Sequence, residues 1–227
     1  TEGDRSQPEL GLFRVWTFTG SDGFLFPESI NRNYDLNNYP MTDSAKAALS
    51  KFNPATDNPT NNCTPKGMPL IMEQPLPMEI ARAGDDIVIH IEEYDLTRTL
   101  HMNASAAPAG TGTTPLGYSV GRFYGETLVV TTTNISWPHF NQAGIPQSSQ
   151  SVITEHFTST EDGSVLAYAM TVTDPVNFTR LHPEPESHQL RQFHRVLKTL
   201  RVPDENEVLL SVQRGQQHDD LNLLEQR

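Results

Sequence analysis

The chain has 227 residues, with 16 lysines and arginines against 28 aspartates and glutamates, and its formal net charge is −12. Such an acidic chain is a poor partner for nucleic acid, because each phosphate contact requires a cation. Its 17 prolines and 14 glycines favour short strands and turns, and its length suits one β-rich domain with a tail. No apolar run is long enough to span a bilayer as a helix, so we expect no transmembrane segment.

The first predicted strand covers residues 12–19, where apolar and polar side chains alternate before a Gly-Ser-Asp-Gly turn. Residues 31–64 are rich in Asn, Asp and Pro, which indicates a long excursion over the surface. Within this excursion, residues 43–52 have a helical composition, with Thr42 or Asp43 as the N-cap.

Three hairpins are predicted in the middle of the chain, because pairs of strand-like segments flank short glycine-containing turns. The predicted strand pairs are 78–81 with 86–94, 117–124 with 127–133, and 151–159 with 164–173. Hairpins in series indicate an all-β fold, either a closed barrel or a two-sheet sandwich. We expect an antiparallel up-and-down, lipocalin-like β-barrel, since closure removes exposed sheet edges.

The sequence changes character after residue 180. We therefore divide the chain into a β-barrel domain at 1–180 and a helical or extended tail at 181–227 that packs on the barrel. A helix is predicted over 187–200, because four apolar residues fall on one helical stripe. They are Leu190, Phe193, Leu197 and Leu200. Residues 207–212 are a further candidate strand.

Residues 92–102 (EEYDLTRTLHM) hold the highest density of reactive side chains in the chain. With a two-residue loop at 95–96, or its four-residue version at 94–97, Glu93 lies opposite Arg98 and His90 lies opposite His101. Strand alternation then defines two faces. One face holds His90, Glu92, Tyr94, Thr97, Thr99 and His101, and the other holds Ile89, Ile91, Glu93, Arg98, Leu100 and Met102. Arg98 and His101 can enter one cavity only if a bulge separates them.

This hairpin also predicts a metal site. His90, Glu92 and His101 would supply two imidazoles and one carboxylate, because opposed side chains lie about 4.5–5.5 Å apart. The alternative interpretation is the solvent-facing side of an edge hairpin. A second set combines His101 with sulfur ligands suited to monovalent copper, although methionine usually fills core gaps. Its sulfur residues are Cys63, Met68, Met72, Met78 and Met102.

Seven short segments occur in a characteristic order. They are YPMT at 39–42, DNP at 57–59, CTPKGMP at 63–69, EEYD at 92–95, RTLHM at 98–102, GYSVGR at 117–122 and TLVV at 127–130. On these segments the chain resembles, from about residue 11 to residue 179, a family of exported bacterial proteins that look like lipocalin-type β-barrels and have no assigned activity. The family usually has histidine at the position of Tyr118.

The resemblance implies a periplasmic or extracellular location, and we expect that a leader has already been removed. It also implies that several residues occupy recurring motif positions. These are Cys63, Glu92, Tyr94, Arg98, His101, Met102 and Arg122.

The leading functional hypothesis is a binding protein that takes up a small apolar or amphipathic molecule in a partly apolar cavity. Its candidate ligand contacts are Glu92, Tyr94, Arg98, His101, Met102 and Arg122. The first alternative is a metal-dependent or acid/base enzyme, a lyase, isomerase or hydrolase, centred on His101. The second is an accessory or assembly subunit of an envelope complex, and a homo-oligomer is compatible with all three. The sequence indicates no particular cofactor, and no Gly-x-Ser-x-Gly elbow occurs.

Overall fold

A computed structural model describes residues 11–18, 39–74, 76–160, 163–179 and 189–199, the last of these as backbone alone. In these ranges, nine strands form a closed β-barrel in sequence order. The strands are β1 (Val15–Phe18), β2 (Met78–Ala83), β3 (Asp86–Ile91), β4 (Leu96–His101), β5 (Tyr118–Tyr124), β6 (Thr127–Thr133), β7 (Val152–Ser159), β8 (Val165–Thr173) and β9 (Gln189–Thr199). The β-barrel expected from the sequence is confirmed.

The sheet is mixed and not wholly antiparallel. Strands β4 and β5 pair in parallel through Leu100 with Ser119 and His101 with Val120, and the chain crosses between them over residues 102–117. The other neighbouring strands are antiparallel, and β1 pairs with both β2 and β9 to close the barrel. The parallel pair has two paired positions, as does the pair of β1 with β2.

Local sequence signals account for the hairpins and the helix. Strands β2 and β3 are joined by a two-residue turn in which Gly84 has a φ of 62°, and β5 and β6 by one in which Gly125 has a φ of 60°. The predicted helix is confirmed as α1 (Asp43–Leu49), and Thr42 caps it by accepting the Ala45 backbone N–H at 3.2 Å. No helix among the described residues is both long and apolar enough to cross a membrane.

The helix predicted over 187–200 is wrong, because residues 189–199 form β9, one of the strands of the barrel wall. The pairing explains the error. Leu190 pairs with Val172, whereas Phe193 pairs with Met170, so β9 contains one more residue than β8 at this point. This bulge produces the three-residue apolar spacing that resembles a helix. The candidate strand at 207–212 lies outside the described residues.

The barrel interior holds a buried ion pair among apolar side chains. Arg98 on β4 is 2% exposed and Glu155 on β7 is 0% exposed. Arg98 Nη1 donates to Glu155 Oε1 at 2.9 Å, and Nη2 donates to the second carboxylate oxygen. Burial by itself lowers the pKa of Arg98, but the facing Glu155 carboxylate outweighs it, and the pKa is raised. Arg98 is therefore charged inside the barrel.

Three hydroxyl groups complete this network. Arg98 Nε donates to Ser119 Oγ at 3.0 Å, and Nη2 donates to Thr132 Oγ1 at 2.7 Å. Tyr168 Oη donates to Glu155 Oε1 at 2.8 Å. The five side chains come from the consecutive strands β4 to β8, so one network links more than half of the barrel strands.

We expect Arg98→Met to lower the free energy of unfolding by about 3–5 kcal/mol, because it leaves the Glu155 carboxylate buried without a counter-ion. Urea unfolding followed by circular dichroism measures this loss. The double variant Arg98→Met, Glu155→Leu should lose less than the sum of the single variants. Lys46→Met is the control, since Lys46 pairs with Asp43 at an exposed site and should cost under about 1 kcal/mol. Equal losses in Arg98→Met and Lys46→Met would contradict the central role of the buried pair.

Candidate functional site

The β3–β4 hairpin has a different register from the predicted one. Its loop is the four residues 92–95, and Ile91 pairs with Leu96. As a result, Arg98 lies opposite Ile89 and His90 lies opposite Thr97. The predicted pairings of position 93 with 98 and of position 90 with 101 are therefore wrong. The loop sets this register, because Glu93–Asp95 form a 3-10 turn in which Tyr94 and Asp95 have φ values of 60° and 51°, and this turn closes the hairpin at Ile91 and Leu96.

For the residues of the two strands, the predicted division into two faces is confirmed, because the register error is an even number of residues. The division does not extend to Glu92, Glu93 and Tyr94, which lie in the loop between β3 and β4. Arg98 and Leu100 point into the barrel and are at most 2% exposed. His90 and Thr97 are exposed on the outer face, where His101 is partly buried. Arg98 and His101 therefore belong to different sides of the barrel wall.

The structure does not bring the predicted metal ligands together. His90 Nδ1 is 3.0 Å from Thr97 Oγ1, and Thr97 precedes His101 by four strand residues, or about 13 Å. Glu92 is an exposed loop residue beyond the end of β3. In the described part of the chain, no three His, Cys, Asp or Glu side chains are grouped in a way that could hold a metal ion.

The other candidates in and around the hairpin are also dispersed. Tyr94 is a left-handed loop residue that is 41% exposed, and burial, followed by the charges of Glu93 and Cys63, raises the pKa of its phenol. Glu93 forms an ion pair with Lys66 and not with an arginine. The sulfur set is split in the same way, since Cys63 is exposed whereas three methionines lie in the core. The buried methionines are Met68, Met72 and Met78.

His101 is held from two sides on the outer face of the barrel. Its Nδ1 lies 3.0 Å from Asp86 Oδ2, and its ring stacks on Tyr118 with centroids 4.4 Å apart and an interplanar angle of 19°. Asp86 Oδ1 accepts the backbone N–H of Met102 at 3.0 Å. That N–H, and then the contact with His101, lower the pKa of Asp86, so its carboxylate is ionised at neutral pH. A carboxylate that orients an imidazole is the arrangement used in general-base catalysis.

A groove of about 410 Å³ lies on the same outer face. It is lined by Val120, Arg122 and Tyr124 of β5, by Val129, Thr131 and Thr133 of β6, and by Ser105, Ala106 and Ala107 of the crossover. His101 pairs with Val120, and Tyr118 pairs with Thr133. His101 and the Tyr118 ring on which it stacks therefore lie next to one end of this groove. Among the described lining residues, Arg122 is the one with a formal charge.

Arg122 attaches the crossover to the barrel wall. Its Nη1 donates to the carbonyl oxygen of Met102, and also to that of Gly121 at 2.9 Å. Its Nη2 donates to the carbonyl oxygen of Ala104. Met102 packs close to β5, since a Cβ added at Gly121 would lie 2.5 Å from Met102 Sδ. Of the predicted ligand contacts, Met102 is therefore a packing residue, whereas Arg122 lines the groove.

Sequence reasoning missed Asp86 and the groove, although a signal for Asp86 existed. Pairing Ile91 with Leu96 aligns the apolar residues of both strands and brings Asp86 next to His101, one step beyond the pair of Ile87 and Leu100. The groove had no comparable signal, because it depends on the parallel pairing of distant segments. Comparisons of the chain with protein-family models, curated proteins and solved structures found no match.

We expect Asp86→Asn to lower the free energy of unfolding at neutral pH and to lose this effect in acid. The folded-state pKa of Asp86 lies below its ordinary value of 3.8. The ionised carboxylate therefore stabilises the fold fully above that value, and the contribution disappears as the pH falls through the lower folded-state pKa. Urea unfolding at a series of pH values measures the difference. Asp85→Asn, at an exposed position of the same turn, is the control, and a pH-independent difference for Asp86→Asn would refute the assignment.

Proposed function

We propose that this chain is an exported, lipocalin-like β-barrel protein that binds a small, partly apolar molecule in the outer groove between β5, β6 and the crossover. The observation that carries this proposal is the groove itself, whose volume of about 410 Å³ lies within the range of about 300–1,000 Å³ that is typical of small-molecule sites. The resemblance to exported barrel proteins supports a periplasmic or extracellular location.

The chemistry of the groove supports a partly apolar ligand. Val120 and Val129 supply aliphatic surface, and the ring of Tyr124, which is 68% exposed, supplies a flat apolar face at one end. Hydroxyl groups of Thr131 and Thr133 provide polar contacts along β6. Apolar walls with a few fixed polar groups are the usual composition of a small-molecule site.

The contacts of Arg98 inside the barrel favour a ligand site on the outer face. Arg98, a ligand contact in the sequence-based hypothesis, is bound by Glu155 and by two hydroxyl groups. A ligand that used Arg98 would have to replace a buried carboxylate, at a cost of several kcal/mol. A ligand that used Arg122 would displace no carboxylate, because the partners of Arg122 are neutral carbonyl groups.

We expect Ala107→Trp to weaken binding of the neutral apolar dye Nile red by about tenfold or more, because the indole would occupy the groove. A fluorescence titration of purified protein measures the affinity. Ala47→Trp is the matched control, since it adds the same ring at an exposed position of α1, outside the groove. Native mass spectrometry of the protein as purified from its producing cells reports any retained small molecule. Equal dye affinities for Ala107→Trp and Ala47→Trp would contradict binding in the groove.

A second candidate function is an acid/base enzyme centred on His101, and the 3.0 Å contact between Asp86 and His101 favours it. The ionised carboxylate fixes the imidazole ring by its Nδ1 and leaves Nε2 as the atom that could take a proton from a molecule in the adjoining groove. Tyr118 restricts the ring further by stacking.

We expect His101→Gln to slow hydrolysis of p-nitrophenyl acetate, an activated ester that reports general-base reactivity, by about tenfold or more. His90→Gln is the matched control, because His90 is an exposed imidazole on the same outer face and contacts a threonine and not a carboxylate. Initial rates at constant pH are the measurement. Similar small losses in both variants would show that His101 is no more reactive than an ordinary surface histidine.

A further inference from the structure

We propose that the molecule bound in the outer groove is a small monocarboxylic acid with an apolar body, and that its carboxylate binds Arg122. This inference rests on the proposed function and extends it by naming the class of ligand. Its basis is the set of hydrogen bonds that Arg122 makes and the set that it leaves unmade.

The guanidinium of Arg122 retains donors for a ligand. A guanidinium has five N–H groups, and those of Arg122 make three hydrogen bonds, two from Nη1 and one from Nη2. One N–H on Nε and one on Nη2 have no partner among the described residues. Nε and Nη2 share one edge of the planar group, and such an edge donates two parallel hydrogen bonds to the two oxygens of a carboxylate.

The charge of Arg122 is also uncompensated in the described part of the chain. There, Arg98 pairs with Glu155 and Lys66 pairs with Glu93, whereas no carboxylate lies within ion-pair distance of Arg122. Its partners are carbonyl groups, which fix its position without cancelling its charge. The groove therefore offers one pre-oriented positive charge, and pre-orientation lowers the entropy lost when a ligand binds.

The number of charges favours a monoanion. Arg122 is the single charged group among the described lining residues, and the whole chain carries a net charge of −12. A phosphate dianion would bring a second negative charge that this groove does not match. The aliphatic side chains of Val120 and Val129 continue from Arg122 along the groove, so an apolar body fits beside the carboxylate.

The experiment compares octanoate with octanamide, two ligands that differ in charge but not in length, by displacement of Nile red. The wild-type protein should prefer octanoate by about tenfold, because charge-assisted hydrogen bonds are about twice as strong as neutral ones. Arg122→Gln should lose this preference and bind the two ligands equally. Arg82→Gln, which removes an exposed arginine on β2, should keep the preference.

Three outcomes would overturn the inference. The first is equal affinity of the wild-type protein for octanoate and octanamide, which requires no variant and therefore holds even if Arg122→Gln fails to fold. The second is a preference for octanoate that persists in Arg122→Gln. The third is displacement of octanoate by inorganic phosphate at lower concentration than by acetate. If Nile red binds and Ala107→Trp blocks its binding, these outcomes reject a carboxylate ligand but not ligand binding in the groove. Failure of the Ala107→Trp test rejects the proposed function itself.

Discussion

The buried ion pair between Arg98 and Glu155 is the interaction on which the remaining structure depends. A buried charge is tolerated when it is paired and hydrogen-bonded, and here the partners come from separate strands. The network also crosses the parallel junction of the barrel wall. Strands β4 and β5 share two paired positions, and the hydrogen bond from Arg98 Nε to Ser119 Oγ joins them from inside. The parallel junction is therefore held both by backbone pairing and by a buried charge.

This use of the barrel interior determines where a functional site can form. Because β4 alternates, a strand that directs Arg98 inward must direct His101 outward. The crossover that follows has to lie over the outer face, where Arg122 binds its carbonyl groups and leaves a groove against β5 and β6. The same junction places His101 beside Val120. The outer groove is thus a consequence of the inner ion pair and of the parallel strand order.

The sequence predicted the features that arise from neighbouring residues and failed where distant residues decide. The hairpin turns at Gly84 and Gly125 and the cap at Thr42 depend on local backbone geometry, and all three are present. The strand β9 was missed because a bulge is set by pairing with β8 and is not visible in its own periodicity. The partner of Arg98 was sought in the same hairpin, whereas Glu155 lies 57 residues further along. Strands β4 and β7 each have one charged residue on an otherwise apolar face, and this shared pattern is the sequence signal that predicts a pair between Arg98 and Glu155.

The contrast between the two arginines of the β4–β5 junction explains why one is structural and the other suits ligand binding. Arg98 is enclosed, and a carboxylate of the chain neutralises it, so a further anion would find neither space nor net charge. Three hydrogen bonds to carbonyl oxygens hold Arg122 in place, but the carbonyl dipoles do not neutralise its unit charge. In a protein with 28 acidic residues, Arg122 is fixed by the chain without a carboxylate within ion-pair distance in the described structure. An anion bound there would direct its body along β5 and β6, and a body that extended towards Thr133 would approach the ring of His101.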